Sequence, residues 1–298
     1  MKFPRLADLW KKRRGPVAPF RGQGLKFYLG VLALLLIGFI AGFYLFFPTS
    51  VLQQRLELEI TARTPMDARI KTVSLLFPPG LQAESVRLAS GSPPTEFTID
   101  RIKLTPLWRT MVGNNPGLAF QTDVFGGQVA GNLRKSGSLA ANLQALTFSA
   151  PVGGSLPIRL TGRLDKGDFA GALPLQSAAE TRLSLVFGQM EISGLSSLGL
   201  ASDTLALGSV NLAGNGRANA LKIERLSASG GSLEVNGEGT IMLAEPLDRS
   251  RLNLNLVLRP GRQLDKTLAD LLEVFAQAEP DGSFRLRLTG SLRQVVIQ

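Results

Sequence analysis

Four glycines crowd around apolar residues in the stretch 227–243, SASGGSLEVNGEGTIML, and this composition raises the question of phosphate binding. A phosphate-binding loop of the G-x-x-x-x-G-K-[ST] kind needs a lysine directly after a glycine. The chain contains no Gly-Lys dipeptide, and no helical period follows its other glycine-rich candidate, 214–216. We therefore predict a tight turn at Gly230 and Gly231, and strand bulges with close backbone approach at or near Gly237 and Gly239.

Nucleophilic and metal chemistry find few candidates in this sequence. The chain has no histidine and no cysteine, which removes Ser-His-Asp and Cys-His constellations and the usual zinc ligand sets. A Ser-Lys pair or a two-carboxylate glycosidase site is compatible with the composition. Asp165 and Asp168, however, fall in a stretch that reads as a hairpin turn, and Glu57 and Glu59 fall on a predicted helix. We expect structural roles for all four residues, no cofactor, no metal site and no enzymatic activity.

The positive charge of the chain is concentrated at its beginning. Residues 1–26 hold eight Lys or Arg against one Asp, which accounts for +7 of the net charge of +10. The next 21 residues, 27–47, contain no charged side chain and would span about 30 Å as a helix. We predict a basic cytoplasmic tail over 1–26, a transmembrane helix over 27–47 and an exported domain over 48–298. The charge is then explained by membrane topology, and no nucleic acid partner is expected.

The remaining residues predict a mainly β fold, a largely antiparallel sheet with a few short helices. A capping-box pattern at 50–53 predicts a helix over 50–62, and apolar residues on one face predict another over 264–278. A short helical turn is expected near 105–111. Alternating apolar and polar residues, separated by turn residues, predict the strands. They cover 69–77, 81–88, 97–99, 118–125, 139–148, 156–164, 182–192, 205–212, 220–228, 233–243, 252–258 and 284 almost to 298.

Two surfaces are candidates for binding. Gly38 and Gly42 form a G-x-x-x-G pattern, which lets membrane helices approach closely and is compatible with a homo-oligomer or another membrane subunit. Leu233, Val235 and Ile241 are predicted to share one apolar face of the sheet. A second sheet, the helix at 264–278, a partner protein or lipid chains in an open groove could each cover that face.

The order of these features resembles the type II secretion system protein N family, which is related to AsmA-like periplasmic proteins. The resemblance covers about residue 27 to the end and rests on one amino-terminal anchor, a short helix and a series of motifs in a fixed order. These motifs are 75–81, 125–127, 229–231, 239–243, 246–247, 250–254 and 284–292.

The resemblance implies a bacterial inner-membrane protein with a single span, a cytoplasmic amino terminus and a periplasmic, AsmA-like β domain. It implies a non-enzymatic assembly role beside other type II secretion subunits. The alternative is an AsmA-like lipid-binding or lipid-transfer protein that holds membrane lipid in an apolar groove. An open apolar groove in the structure would favour this alternative.

Overall fold

The computed structural model describes most of the chain after residue 23. The described residues are 24–64, 66–91, 94–111, 113–151, 157–173, 179–200, 202–244, 249–261, 264, 266–291 and 294–297. They belong to two compact units, 1–49 and 50–298. Most of the predicted basic tail, 1–23, lies outside the described residues.

The first unit contains one long apolar helix, α1 (Gly24–Phe46). Its segment Lys26–Phe46 has a mean hydropathy of 2.5 and is long and apolar enough to cross a membrane. Helix formation is expected here because the segment is rich in Leu, a strong helix former, and contains no proline. The predicted membrane-spanning helix at 27–47 is therefore confirmed as a helix of the required length and composition.

The second unit is built on one antiparallel sheet of 15 strands. The strands are β1 (Met66–Leu76), β2 (Gly80–Gly91), β3 (Pro94–Pro106), β4 (Gly117–Val124), β5 (Gly127–Arg134), β6 (Ser138–Pro151), β7 (Arg159–Ala172), β8 (Glu180–Ser193), β9 (Thr204–Arg217), β10 (Ala220–Gly230), β11 (Leu233–Met242), β12 (Arg251–Pro260), β13 (Gln277–Ala278), β14 (Phe284–Ser291) and β15 (Gln294–Ile297). The mainly β prediction is confirmed.

The sheet follows the chain as a meander. Each strand from β1 to β12 pairs with its sequence neighbours, β12 then pairs with β14, and β13 and β15 both pair with β14. Among the described residues, no pairing joins β1 to the last strands, so the sheet is open. Two-residue turns join several neighbours. In the β4–β5 turn, Phe125 and Gly126 have φ angles of 51° and 72°, the left-handed conformation that such hairpins require.

Three helices accompany the sheet: α2 (Thr49–Arg63), α3 (Trp108–Met111) and α4 (Lys266–Phe275). The helices predicted at 50–62, near 105–111 and at 264–278 are thus present, although α4 ends earlier than expected. The short strand β13, which pairs with β14, takes up the residues after α4. A 3-10 turn, Leu195–Leu198, follows β8.

Helix α2 lies along the free edge of β1. The side chain of Gln53 donates a hydrogen bond of 2.7 Å to the carbonyl of Ile70, whose own N–H donates to Glu57 Oε1 at 2.7 Å. These side chains occupy backbone groups that an edge strand would otherwise offer to another chain.

Three sequence expectations about strands are wrong in detail. Residues 165–168 do not form a hairpin turn, because β7 continues through them to Ala172. The segment after Phe284 is two strands, β14 and β15, rather than one. Strand β5 is missing from the strand ranges that alternation predicts. Glycine and aspartate inside these strands mimic turn signals in the sequence.

A β-bulge explains why 165–168 looked like a turn. The β7–β8 pairing shifts register between Leu164 and Lys166, so Asp165 is an extra residue in its strand. Ion pairs join Asp165 to Arg163 at 3.3 Å and Asp168 to Lys166 at 3.7 Å. The bulge thereby brings these charged side chains together on one surface without ending the strand.

Candidate functional site

Strand register collects the apolar side chains on one face of the sheet, termed here the apolar face. In an antiparallel sheet, directly paired residues point to the same side. One continuous row of paired positions crosses ten strands, from β4 to β14. It consists of Thr122, Val129, Leu143, Gly167, Leu185, Leu212, Leu226, Gly237, Leu256 and Leu286. This row contains no charged residue.

The opposite face carries the polar and charged side chains. The neighbouring paired row begins with Asp123, Gln128, Gln144 and Lys166. Arg101 on β3 forms an ion pair of 3.7 Å with Asp123 on β4. The two faces therefore differ sharply in chemistry, and only the apolar face needs shelter from water.

Helix α2 covers the apolar face at its amino-terminal flank. The buried cluster there consists of Ile70, Val73 and Val86, against which Leu52 and Leu56 of α2 pack. Val86 is 2% exposed. This flank is an ordinary packed core.

Helix α4 and its surroundings cover the carboxyl-terminal flank. A buried cluster of Leu233, Leu256, Leu258, Phe284 and Leu286 packs against partly buried residues that include Leu264 and Leu272. A second cluster, formed by Leu195, Leu200 and Leu205 around the 3-10 turn, packs against Leu264 and Leu268.

The three apolar-face candidates from the sequence lie on this carboxyl-terminal part of the sheet. Leu233 is buried within the cluster, and Val235 packs against it while pairing with Ala228 and Leu258. Ile241 is half-buried and pairs with Leu221 and Leu252. The cluster that includes residues of α4 therefore lies against Leu233 and Val235.

The centre of the apolar face has no comparable cover. The buried clusters among the described residues lie at the two flanks. The large apolar side chains of β4–β8 are mostly half-buried, although Val124, Leu164 and Met190 of these strands are buried. Leu118 and Leu133 are 44% and 36% exposed. We term the following set the apolar centre: Leu118, Phe120, Val129, Leu133, Leu143, Phe169, Leu183 and Leu185.

Glycines on the same face give large side chains room to lie flat. A Cβ added at Gly131 would meet the ring of Phe120 at 2.6 Å, and one added at Gly171 would meet the ring of Phe169 at 2.9 Å. At Gly167, the nearest side chain is Leu185 at 2.9 Å. The glycines thus let aromatic and leucine side chains fold over neighbouring strands, which leaves a low, apolar surface.

Family models, curated proteins and solved structures were compared with this chain, and none of them matches it. Its function is therefore inferred from the surfaces of the chain itself.

The carboxylates considered for catalysis have other contacts in the structure. Asp165 and Asp168 are about half exposed and ion-paired within β7, as described above. Glu57 accepts the backbone hydrogen bond of β1, and Glu59 lies on the exposed part of α2. Among the described residues, no group of three or more acidic side chains is arranged to hold a metal ion.

Two aspartates have perturbed pKa values, and both support turns near the covered carboxyl-terminal flank. The hydroxyl and backbone N–H of Ser196 donate to Asp203 and hold the pKa of that carboxyl below 3.8. Ser283 lowers the pKa of Asp281 in the same way, with help from Arg259.

Gly38 and Gly42 lie four residues apart on α1, and a Cβ at either position would meet no atom within 4 Å. This side of α1 is therefore free to contact another membrane helix. Packing of such a helix against Gly38 and Gly42 stays a prediction.

The glycines that first suggested phosphate binding have structural roles instead. Gly230 has a φ of 81° and ends β10 at a turn, and Gly231 continues that turn. Gly239 lies opposite Asn253 and Leu254, whose backbone leaves no room for a Cβ, and β10 bulges beside it. The predicted turn and the close backbone approach at Gly239 are confirmed, but the bulge lies in the neighbouring strand β10 and not in β11 itself.

Proposed function

We propose that the apolar centre binds the acyl chains of membrane lipid. The observation that carries this proposal is that the apolar face is sheltered at both flanks by helices and mostly half-buried between them. Contiguous exposed apolar surface of this kind is uncommon on proteins that have no ligand or partner for it.

The dimensions of the apolar centre suit one lipid tail. Five neighbouring strands, β4–β8, extend about 19 Å across the sheet at roughly 4.8 Å per strand. A bilayer hydrocarbon core is about 30 Å thick, so each leaflet contributes about 15 Å of acyl chain. One tail laid across these strands would stay within the apolar centre.

The chemistry of the apolar centre favours hydrocarbon over a polar ligand. Its side chains are Leu, Val and Phe, which gain roughly 0.8 kcal/mol for every CH₂ group that they help remove from water. The same chain carries a helix long and apolar enough to span a membrane. Membrane lipid is therefore an apolar ligand that the protein would encounter. This reasoning favours the lipid-binding alternative over a purely structural scaffold.

Mass spectrometry of the full chain, purified gently from membranes, tests this proposal. We expect phospholipid to co-purify with the wild type. Replacement of Leu143 by Arg places a charge in the apolar centre and should remove most of the bound lipid. A ligand-free wild type would contradict the proposal, as would a dimer that buries this face without lipid.

The matched control is Gln144→Arg. Gln144 is the next residue of β6 and is exposed on the polar face. It introduces the same charge in the same strand but should leave the bound lipid unchanged. Thermal unfolding of both variants shows whether loss of lipid reflects the surface or loss of folding.

We also propose an inner-membrane location with the amino terminus in the cytoplasm. The support is the excess of Lys and Arg before α1, because cytoplasmic flanks carry such an excess. Cysteines introduced at residue 10 and at the exposed Gln144 would be labelled from opposite sides of the membrane. Labelling of both from the same side would contradict this topology.

Membership of a type II secretion apparatus stays a prediction. It rests on the sequence resemblance described above, and its partners would be other secretion subunits. Co-purification of the full chain with such subunits in mild detergent would support it. Recovery of lipid but no secretion subunit would favour lipid handling alone.

A further inference from the structure

One end of the sheet presents exposed apolar side chains together with basic ones. We term this surface the Trp108 rim and define it as residues 107–111, 113–118, 133–137 and 173. Trp108 and Met111 are each 47% exposed, and Leu173 is 42% exposed. Leu118 and Leu133 belong both to the rim and to the apolar centre, so the two surfaces are continuous.

The rim is built as one connected structure. The N–H of Lys135 donates to the carbonyl of Pro116 at 2.8 Å, and Asn115 exchanges two hydrogen bonds with Ser136. The N–H of Leu173 donates to the carbonyl of Gly137 at 2.8 Å. These bonds fasten three neighbouring strand connections together. The exposed apolar groups are therefore held in place by the fold.

Within the rim, apolar and basic residues together line a shallow depression of about 280 Å³. It is lined by Met111, Pro116, Gly117, Leu118, Leu133, Arg134 and Lys135. The aliphatic stems of arginine and lysine can lie on apolar surface while their charged ends reach outward.

The charge of the rim is entirely positive. Residues 107–118 and 133–137 contain Arg109, Arg134 and Lys135 but no Asp or Glu. No ion pair found between described residues involves any of these three side chains. Exposed aromatic and apolar groups next to unpaired basic groups match the interface of an anionic bilayer, where rings sit at headgroup level.

Helix α2 gives a second, independent indication. It runs antiparallel to β1, because Gln53 contacts Ile70 whereas Thr61, later in the helix, contacts Ala68. Its first residues therefore point toward the end of the sheet that carries the rim. In the sequence, Ser50 follows the end of the candidate span at Phe46 by four residues, a length that reaches about 14 Å at most.

We infer that the Trp108 rim docks on the surface of a bilayer that contains anionic phospholipid. Trp108 and Met111 enter the headgroup region, and the three basic side chains contact lipid phosphates. If the apolar centre holds acyl chains, as proposed above, the rim is the end at which these chains enter. Docking itself does not require that the apolar centre bind lipid.

Tryptophan fluorescence of the full chain in proteoliposomes tests this inference. The sequence has two tryptophans, so Trp10→Phe leaves Trp108 as the single reporter. In vesicles of phosphatidylcholine and phosphatidylglycerol with brominated acyl chains, we expect Trp108 to be quenched. Equal emission in brominated and unbrominated vesicles would overturn the inference and leave a protein as the occupant of the rim.

Reversing the charge of the rim tests whether Trp108 is quenched because the rim docks on the bilayer or only because it lies near lipid. A variant with Arg109, Arg134 and Lys135 replaced by Glu should lose most of the quenching. The matched control replaces Lys71, Arg87 and Lys222, which are exposed basic residues elsewhere on the sheet, by Glu. This control should keep the quenching. Equal loss in both variants would overturn the role of the rim.

The Leu143→Arg variant separates this inference from the proposed function. If the rim docks on the bilayer, Trp108 stays quenched in that variant even when no lipid co-purifies with it. Loss of quenching in the folded Leu143→Arg variant would mean that Trp108 senses lipid held in the apolar centre, which would overturn docking by the rim.

Discussion

The covered flanks and the apolar centre are parts of the same sheet face, but their apolar side chains are buried to different degrees. At the carboxyl-terminal flank, Leu256 and Phe284 are 7% and 8% exposed beneath α4 and its neighbours. In the apolar centre, Leu143 and Phe169 have equally apolar side chains, yet they are half-buried. The residue types are alike, so the difference lies in what the rest of the chain packs against them.

This difference separates two uses of apolar residues. Under a helix they stabilise the fold, because their burial removes hydrocarbon from water and adds dispersion contacts. Without a helix they contribute less to folding and remain available to a ligand. A sequence pattern of alternating leucine cannot distinguish these uses, since both require the same alternation.

The largest expected effect comes from truncating a side chain at the covered flank. Phe284→Ala should lower the free energy of unfolding by about 3 kcal/mol, because it leaves a cavity in a buried cluster. Phe169→Ala in the apolar centre should lower it by only about 1 kcal/mol, because the ring of Phe169 is already partly exposed to water. Denaturant unfolding of the two variants in detergent measures this difference. Equal losses would remove the distinction between flank and centre.

Substitution of a glycine that lies beside the apolar centre should have a smaller effect on stability. Gly131→Ala places a Cβ against the ring of Phe120 and the backbone of Ala140. We expect this overpacking to lower the free energy of unfolding by about 1–2 kcal/mol. Bound lipid should also decrease, because Phe120 can no longer lie flat. Gly113→Ala is the control, since its Cβ would meet no atom closer than 3.6 Å. A neutral Gly131→Ala would show that the flat ring is unnecessary.

Removing an edge contact between α2 and β1 should lower the free energy of unfolding by about 1 kcal/mol. Glu57→Ala removes the acceptor of the Ile70 N–H, a hydrogen bond to a charged group that is only partly shielded from water. Gln54→Ala, on the exposed side of α2, changes helix propensity similarly and should be neutral. Hydrogen exchange at Ile70 should accelerate in the first variant only. Acceleration in both would indicate general fraying of α2.

The smallest expected effect depends on pH. Because the folded pKa of Asp203 lies below its ordinary value of 3.8, the carboxylate stabilises the fold above that pH. This contribution is lost as the pH falls through the lowered folded pKa. Asp203→Asn should therefore unfold slightly earlier than the wild type at neutral pH, and the two melting temperatures should converge in acid. A constant difference down to pH 2 would contradict this assignment.

Much of the fold can be predicted from the sequence, because most helices and strands follow from patterns of neighbouring residues. The apolar run at 27–47 and the amphipathic spacing of 264–278 each predict a helix that the structure contains. Strands such as 205–212 and 252–258 follow from alternation alone. Glycine and aspartate misled the prediction at 165–168, because a bulge inside a long strand uses the same residues as a turn.

The candidate site is harder to predict from the sequence, because it depends on how strands that are far apart in the chain pair with one another. The row through Val129, Leu143 and Leu185 exists only once the register of each hairpin is set, and a shift of one residue would invert it. The Trp108 rim joins three connections that are far apart in the sequence. An exposed tryptophan beside Arg109 is the available signal, although the sequence there predicts only a short helical turn.

The central claim is that lipid occupies the apolar centre and not the covered flanks. The most direct test places a photoreactive benzoylphenylalanine at Leu143, Gln144 or Leu256 in the full chain, with irradiation in native membranes. The account predicts a phospholipid crosslink at Leu143 and little at the other two positions. Crosslinking of Leu143 to protein alone, or equal lipid crosslinking at all three positions, would contradict it.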